Sequence, residues 1–213
     1  MHALNAERIK KECNDVGIWV SSYGSYYRCG TCDDAEKEFA KYIEIAKILE
    51  APTIRIWIGD RDFEKAEEEY IESIVRELQM ICDLAGKEKI EIAGEFHGGT
   101  LCNTRESALE MVKRVNRDNF GMYFQYDWND SLEYNCETLK SFLLILKNVH
   151  VYHYDNNGRH SLGEGDGERM WRRLIEVLKE NKVNTTLLFE FLPVQTEECL
   201  KQETKILKNM LCK

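Results

Sequence analysis

The chain has few of the residues that separate one domain from the next. Among its 213 residues only Pro52 and Pro193 are prolines, and no Gly/Ser-rich linker interrupts the sequence. Boundaries between domains usually fall in segments rich in such residues. We therefore expect a single domain over residues 1–213.

Long apolar runs and an excess of positive charge are also missing. No stretch approaches the roughly 18 apolar residues of a membrane span, and residues 1–15 carry no apolar signal core. We therefore expect a cytoplasmic protein with no membrane partner. The 29 Lys and Arg residues are outnumbered by 38 Asp and Glu, which gives a net charge of −9. Because nucleic-acid binding depends on clustered Lys and Arg, we expect no nucleic-acid partner.

Cysteine is abundant, but its spacing is not that of a metal or disulfide framework. Of the eight cysteines, only Cys29 and Cys32 form a close pair, and no second CxxC follows. A zinc ribbon needs two such pairs. The pair is open to a redox or zinc interpretation, but two ordinary reduced thiols in a loop fit the spacing better.

A short apolar strand followed by a long amphipathic helical segment recurs along the chain. No strand leads into a GxGxxG or a P-loop, which argues against a nucleotide-binding sheet. Strands joined by helical crossovers predict a parallel sheet with helices outside it, an α/β fold. The predicted strands span residues 17–23, 53–59, 90–96, 121–127, 149–155 and 185–192.

The two faces of these strands differ in polarity. In the second strand Ile54, Ile56 and Ile58 share one face, and Arg55 and Trp57 share the other as substrate-binding candidates. A sheet covered by helices on both sides would be apolar on both faces. Polar groups at the C-terminal ends of strands are instead typical of the mouth of a barrel. We therefore predict a parallel (β/α) TIM-type barrel.

The strand count falls short of a closed barrel. Six strands are predicted, whereas a closed barrel of this type has eight. We therefore expect about two N-terminal β/α units to be lacking. Because open sheet edges invite pairing with another chain, we also expect a homo-oligomer that covers them.

Two carboxylates and an imidazole lie near the C-terminal ends of different predicted strands. Glu95, His153 and Glu190 suit a divalent ion such as Mn²⁺, Mg²⁺, Co²⁺ or Zn²⁺, or are strand-end residues that face water. His97 shares the face of Glu95 and is a candidate to orient a ligand or bind substrate. Arg159, in the following loop, suits an anionic or hydroxyl-rich substrate or is an exposed loop charge.

Three segments carry a resemblance to a known family, and nearly the whole chain fits its pattern. They are EFHGGTLCNTRESALEMVKRV (95–115), NVHVYHYDNNGRHSLGEGDGERMWRRLIEVLK (148–179) and LLFEFL (187–192). With them the chain resembles the xylose isomerase-like barrel superfamily. This group contains sugar-phosphate isomerases and epimerases and also AP endonuclease family 2.

The resemblance implies a role for individual residues. Glu95 and Glu190 match the two glutamates that bind metal and exchange a substrate proton, and His153 matches the metal-binding histidine. Arg159 matches a substrate-binding arginine. The chain departs from the family pattern at two positions: Gln125 stands where catalytic members have a metal-binding Asp, and Trp128 stands where isomerases have a histidine.

The resemblance implies an enzyme, and it leaves alternatives. The leading hypothesis is a metal-dependent sugar or sugar-phosphate isomerase/epimerase that transfers a proton through an enediolate. A dehydratase or lyase on the same scaffold and a degenerate, non-catalytic sugar-binding protein are the alternatives. Cleavage of DNA at AP sites is disfavoured, because family members with that activity use more histidines than the five present here.

Overall fold

The computed structural model describes residues 3–212. These residues form two compact units, the first ending at Tyr123 and the second beginning at Phe124. We describe each unit by itself. A single domain over residues 1–213 stays a prediction.

In the first unit, strands and helices alternate along the chain. Strands β1 and β2, β2 and β3, and β3 and β4 pair in parallel. The strands are β1 (Tyr23–Arg28), β2 (Thr53–Trp57), β3 (Glu91–Glu95) and β4 (Phe120–Phe124), whose last residue begins the second unit. The helices are α1 (Ala3–Asp15), α2 (Ala35–Leu49), α3 (Glu68–Lys87) and α4 (Arg105–Val115).

The apolar face of β2 anchors the core of this unit. Ile54, Ile56 and Ile58 are fully buried, and each contributes on the order of 2 kcal/mol by leaving water. Gly94 in the neighbouring strand makes room for Ile58, because a Cβ at position 94 would lie 2.2 Å from Cδ1 of that side chain. The opposite face of β2 is thereby left for Arg55 and Trp57.

The second unit contains one parallel strand pair and one short antiparallel hairpin. Its helix α6 is held by Trp171, which is buried and donates a hydrogen bond from Nε1 to the carbonyl of Tyr152 at 2.7 Å. Strand β5 pairs in parallel with β8, and β6 pairs antiparallel with β7. The elements are α5 (Leu132–Phe142), β5 (Leu146–Val151), β6 (His153–Asp155), β7 (Gly158–His160), α6 (Gly167–Glu180), β8 (Thr186–Phe189) and α7 (Glu197–Leu211).

Within residues 3–212, six strands form parallel pairs, which confirms the α/β class and the strand count. Two predicted strands were misplaced. The first lies at Tyr23–Arg28 rather than 17–23, and the fifth at Leu146–Val151 rather than 149–155. The segment before β1 is rich in apolar residues, yet Ile18 and Trp19 are exposed and outside the sheet.

Two further expectations concern membrane-spanning helices and the cysteines. No helix among residues 3–212 combines the length and the apolar character needed to cross a membrane. All eight cysteines are free thiols. Cys29 is fully buried, and burial raises the pKa of its thiol well above its ordinary value. Because the thiolate is the reactive and metal-binding form, this agrees with a structural role for Cys29.

Candidate functional site

In the first unit the polar face of the sheet centres on Glu95, the last residue of β3. Arg55 pairs with Ala93 in the ladder between β2 and β3, so the side chains of Arg55 and Glu95 share one face. Nη1 of Arg55 lies 3.0 Å from Oε2 of Glu95, and Glu95 is only 1 % exposed. The strand register therefore builds a buried ion pair at the C-terminal end of the sheet.

The setting of Glu95 affects its protonation. Burial raises the pKa of the Glu95 carboxyl above its ordinary value, and the charge of Arg55 partly opposes that shift. A general base works best when its pKa lies close to the working pH. The buried carboxyl is therefore suited to accept and return a proton.

Stacked rings and a second arginine lie beside this ion pair. The Trp57 and His97 rings stack with centroids 4.9 Å apart, and the guanidinium of Arg28 lies 4.2 Å from the centroid of the Trp57 ring. Nη1 of Arg28 also donates a hydrogen bond to the carbonyl of Gly59 at 2.7 Å. Sequence analysis missed Arg28 because it placed the first strand too early; with β1 at Tyr23–Arg28, Arg28 becomes a strand-end residue.

In the second unit one histidine contacts two oxygen-bearing side chains. Nδ1 of His150 lies 3.1 Å from Oε1 of Gln125 and 3.4 Å from Oε2 of Glu190. His150 lies in β5 opposite Leu188, and Glu190 follows two residues later on the same face. Gln125 comes directly after β4.

The distances between these three atoms fit ligands around a metal ion better than they fit a hydrogen bond from Nδ1. A hydrogen on Nδ1 can be donated fully to only one of the two oxygens. Ligands bound at about 2.0–2.2 Å to the same tetrahedral or octahedral ion lie roughly 3 Å from each other. An imidazole nitrogen, an amide oxygen and a carboxylate oxygen are also suitable ligands for a divalent ion. His150, Gln125 and Glu190 therefore fit such an ion.

His153 lies in a different environment from the one that the sequence suggested. Its Nδ1 donates a hydrogen bond to the carbonyl of Ser161 at 3.0 Å, and its ring centroid lies 5.2 Å from that of His160. His150, which sequence analysis did not single out, makes the contacts with Gln125 and Glu190. The reason is the register: β5 ends at Val151, and a shift of three residues moves a side chain to the opposite face of a strand.

Arg159 lies on the short hairpin rather than in an irregular loop. It belongs to β7, is exposed, and holds its guanidinium carbon 5.0 Å from the centroid of the Phe191 ring. Its role in substrate binding stays a prediction, as do the roles of Arg55, Trp57 and His97.

The sequence of the chain matches a known protein family. The family model described as "Xylose isomerase-like TIM barrel" matches residues 1–210. The chain belongs to this xylose isomerase-like family. Its fold is therefore the expected parallel (β/α) TIM type, with six strands in parallel pairs among the described residues where a closed barrel has eight.

Relatives within the family include enzymes of more than one kind. The chain is 34% identical over 108 residues to an inosose isomerase of Bacillus subtilis (strain 168), a match that covers 49% of this chain and 38% of that protein. The chain thus spans well under half of this curated relative. The shared segment is consistent with an enzyme of the xylose isomerase-like family, and it leaves the reaction open.

Two solved structures show how widely the fold is shared. The probable 3-DHS dehydratase AsbF of Bacillus anthracis has a TM-score of 0.81 at 17% identity, covering 96% of this chain and 82% of its own. A xylose isomerase-like protein of Mycobacterium smegmatis, in complex with magnesium, has a TM-score of 0.75 at 15% identity. This match covers 100% of the present chain and 79% of the Mycobacterium protein. At these identities the two structures show the fold alone.

Proposed function

We propose that the protein is a metal-dependent isomerase or epimerase acting on a sugar or sugar phosphate. The observation that carries the proposal is the position of Nδ1 of His150, 3.1 Å from Gln125 and 3.4 Å from Glu190. A histidine placed between two oxygen ligands is an arrangement typical of a divalent-ion site. The inosose isomerase relative supports an isomerase among the possible reactions.

In this proposal His150 and Glu190 bind the ion, and Gln125 adds a neutral oxygen ligand. Glu95 is proposed as a further ligand because it matches a metal-binding glutamate of the family. His150 takes the place that the sequence suggested for His153. Two carboxylates and one imidazole suit Mn²⁺, Mg²⁺, Co²⁺ or Zn²⁺. When bound, such an ion polarises carbonyl and hydroxyl oxygens and stabilises negative charge that develops on them.

The two glutamates are the proposed proton-transfer groups. One removes the proton from the hydroxyl-bearing carbon next to the substrate carbonyl, and the bonding electrons move onto the carbonyl oxygen to give an enediolate. In an isomerisation the other returns a proton to the former carbonyl carbon while the hydroxyl proton passes to the former carbonyl oxygen. In an epimerisation it returns a proton to the opposite face of the same carbon. Glu95 is suited to this role because burial raises the pKa of its carboxyl. Glu190 is more accessible, with 24% of its side chain exposed.

Four side chains are proposed to contact the substrate. Arg55 and Arg159 supply positive charge for hydroxyl or phosphate oxygens. Trp57 and His97, whose rings stack with centroids 4.9 Å apart, supply apolar ring surface and a ring nitrogen that can bind a substrate hydroxyl. Charge and apolar surface together suit a small, oxygen-rich substrate.

A dehydratase is the second candidate, because a probable 3-DHS dehydratase shares the fold over 96% of this chain. Both reactions begin with removal of a proton next to a carbonyl. They differ in the fate of the substrate oxygen, which stays in an isomerisation and leaves as water in a dehydration. The experiment must therefore follow both the proton and the oxygen.

Proton exchange in D₂O separates these candidates. Purified protein, stripped with EDTA and reloaded with Mn²⁺, is incubated with inosose and with ketohexoses, and the products are followed by NMR and ultraviolet absorbance. Isomerase activity predicts deuterium at the carbon next to the carbonyl and a new isomer, whereas a dehydratase gives a new absorbing double bond. Binding of Mn²⁺ and sugar without deuterium exchange or dehydration would contradict both and favour a non-catalytic sugar-binding protein.

Two broader expectations belong to the same proposal. We propose a cytoplasmic location, which agrees with eight cysteines that are all free thiols. We also propose a homo-oligomer that covers open strand edges. Fractionation of cells and sedimentation of the purified chain test these two statements independently of the chemistry.

A further inference from the structure

We propose that the second unit carries a separate binding cleft for a small organic ammonium ion. The cleft has a volume of about 520 Å³ and is built entirely from residues 126–170, between the start of α5 and the start of α6. A cavity of this size accommodates a small ligand. Neither His150 nor Glu190 of the proposed metal site lines it.

Aromatic rings form one wall of the cleft. The Trp128 and Tyr154 rings meet with centroids 4.7 Å apart and planes inclined at 45°, and Tyr126 also lines the cavity. The Tyr126 hydroxyl accepts a hydrogen bond from the Tyr154 backbone N–H at 2.7 Å, which fixes this wall. Trp128 is 43% exposed, so its ring is accessible from solvent. The faces of such rings attract cations.

The charges around the cleft are strongly unbalanced. Five carboxylates line it against one arginine, Arg169, and the histidines His153 and His160. Three of these acids have a basic neighbour: Asp155 lies 2.8 Å and Glu164 3.9 Å from nitrogens of His160, and Asp166 lies 3.2 Å from Arg169. The other two acids are Asp127 and Asp130.

Asp130 is an exposed acid of the cleft and forms no ion pair with any residue that the structure describes. Partial burial, and after it the neighbouring charge of Asp127, raise the pKa of its carboxyl. A cation beside Asp130 would offset the repulsion between the two carboxylates. The cleft is therefore complementary to positive charge.

The arrangement favours an organic cation over a metal ion. Within residues 3–212, no three His, Cys, Asp or Glu ligand atoms of this cleft converge closely enough to hold a metal. His153 also has its Nδ1 occupied by the Ser161 carbonyl. A ligand with alkyl groups around its positive charge uses the aromatic faces and the carboxylates together, as alkylated ammonium ions do in aromatic cages.

The test uses choline and its neutral isostere 3,3-dimethylbutan-1-ol, which have the same shape and differ in charge. Uniformly ¹⁵N-labelled protein is titrated with each compound at constant ionic strength, and the indole N–H signals of the four tryptophans are followed by NMR. We expect choline to shift the Trp128 signal saturably and to bind at least about fivefold more tightly than the alcohol.

Two variants and two matched controls locate the effect. Trp128→Leu removes a ring of the cleft and Asp130→Asn removes a charge, and each should weaken choline binding at least about threefold. Trp19→Leu and Asp118→Asn make the same changes at exposed positions of the first unit and should leave binding unchanged. Glu190→Gln should also leave it unchanged, because Glu190 does not line the cleft.

Three results would overturn the inference. Equal affinity for choline and the neutral alcohol would mean that the cleft recognises shape without charge. Unchanged choline binding by Trp128→Leu and Asp130→Asn would place the bound cation elsewhere. The absence of any saturable shift of the Trp128 signal would mean that the cleft binds no ammonium ion.

Discussion

The two units surround their key glutamates with different kinds of positive partner. Glu95 is 1 % exposed and lies 3.0 Å from Arg55, whose charge is permanent. Glu190 has 24% of its side chain exposed and lies 3.4 Å from His150, which is charged only when protonated. In the first unit the negative charge of Glu95 is therefore balanced by a permanent positive charge. In the second unit a proton or a metal ion can supply the positive charge beside Glu190.

This difference separates the roles of the two carboxylates. A permanent ion pair holds Glu95 in one place whether or not an ion is bound. Glu190, His150 and Gln125 are arranged around a point that a cation can occupy. Loss of the ion should therefore change the second unit more than the first, and the predictions that follow test this contrast.

The largest expected effect is on catalysis by Glu190→Gln. The substitution keeps the shape of the side chain but removes both a charged metal ligand and a proton-transfer group, so deuterium exchange should fall by about 10³-fold or more. The rate of exchange in D₂O with excess Mn²⁺ measures this. Glu197→Gln, on the surface of α7, is the matched control and should keep full activity. If Glu190→Gln kept the wild-type rate of deuterium exchange, Glu190 would not be a proton-transfer group.

The next effect is on stability and concerns Arg55→Met. Removing the guanidinium withdraws the 3.0 Å charge partner of a buried carboxylate, which should cost about 3 kcal/mol of unfolding free energy near neutral pH. Urea unfolding of the EDTA-treated protein measures the loss. The double variant Arg55→Met/Glu95→Gln should recover part of it, because the buried charge is then absent.

The pH dependence of this loss has a definite sign. Without Arg55 the pKa of the Glu95 carboxyl rises further in the folded state, whereas the unfolded chain keeps the ordinary value of 4.5. Above that pH the folded variant binds more protons than the unfolded chain, so its stability falls as the pH rises. The loss at pH 8 should therefore exceed the loss at pH 5. Equal losses at both values would show that Arg55 acts through packing alone.

A smaller effect distinguishes the two histidines of the second unit. His150→Gln should weaken Mn²⁺ binding at least tenfold, about 1.4 kcal/mol, because Nδ1 of His150 contacts both oxygen ligands. His153→Gln makes the same change at a residue that is bonded to Ser161 instead, and should leave the affinity nearly unchanged. Calorimetric titration of both variants decides the matter. The reverse result would restore His153 as the ligand.

The histidines also show how far the sequence leads. Alternation of apolar and polar residues correctly predicted that Arg55 and Glu95 share a face, because side-chain direction in a strand depends only on parity. It failed for His150, because the run VHVYHYD continues the strand pattern beyond Val151, where the structure ends β5. Two contacts distant in sequence accompany the break: the Tyr152 hydroxyl donates a hydrogen bond to the Tyr126 carbonyl at 2.7 Å, and the Tyr154 backbone N–H donates one to the Tyr126 hydroxyl at 2.7 Å. Periodicity contains no information about such a contact.

An effect as small as that of His150→Gln, but of opposite sign, is expected for Gln125→Asp, which puts a charged oxygen where the amide oxygen now lies 3.1 Å from His150. At an effective dielectric near 20, a charge a few ångströms from a divalent ion gains on the order of a few kcal/mol before desolvation. Affinity for Mn²⁺ should therefore rise at least tenfold, about 1.4 kcal/mol. Gln202→Asp adds the same charge on the surface of α7 and should change the affinity little.

A second measurement on Gln125→Asp makes the result decisive. Without metal, the new carboxylate faces Glu190 across His150, so the two negative charges repel and the EDTA-treated variant should unfold at lower urea than the wild type. Added Mn²⁺ should then stabilise the variant more than the wild type, because binding to the folded state alone adds its free energy to stability. If both proteins bind Mn²⁺ equally, Gln125 is not a ligand, and its contact with His150 serves to orient the imidazole ring.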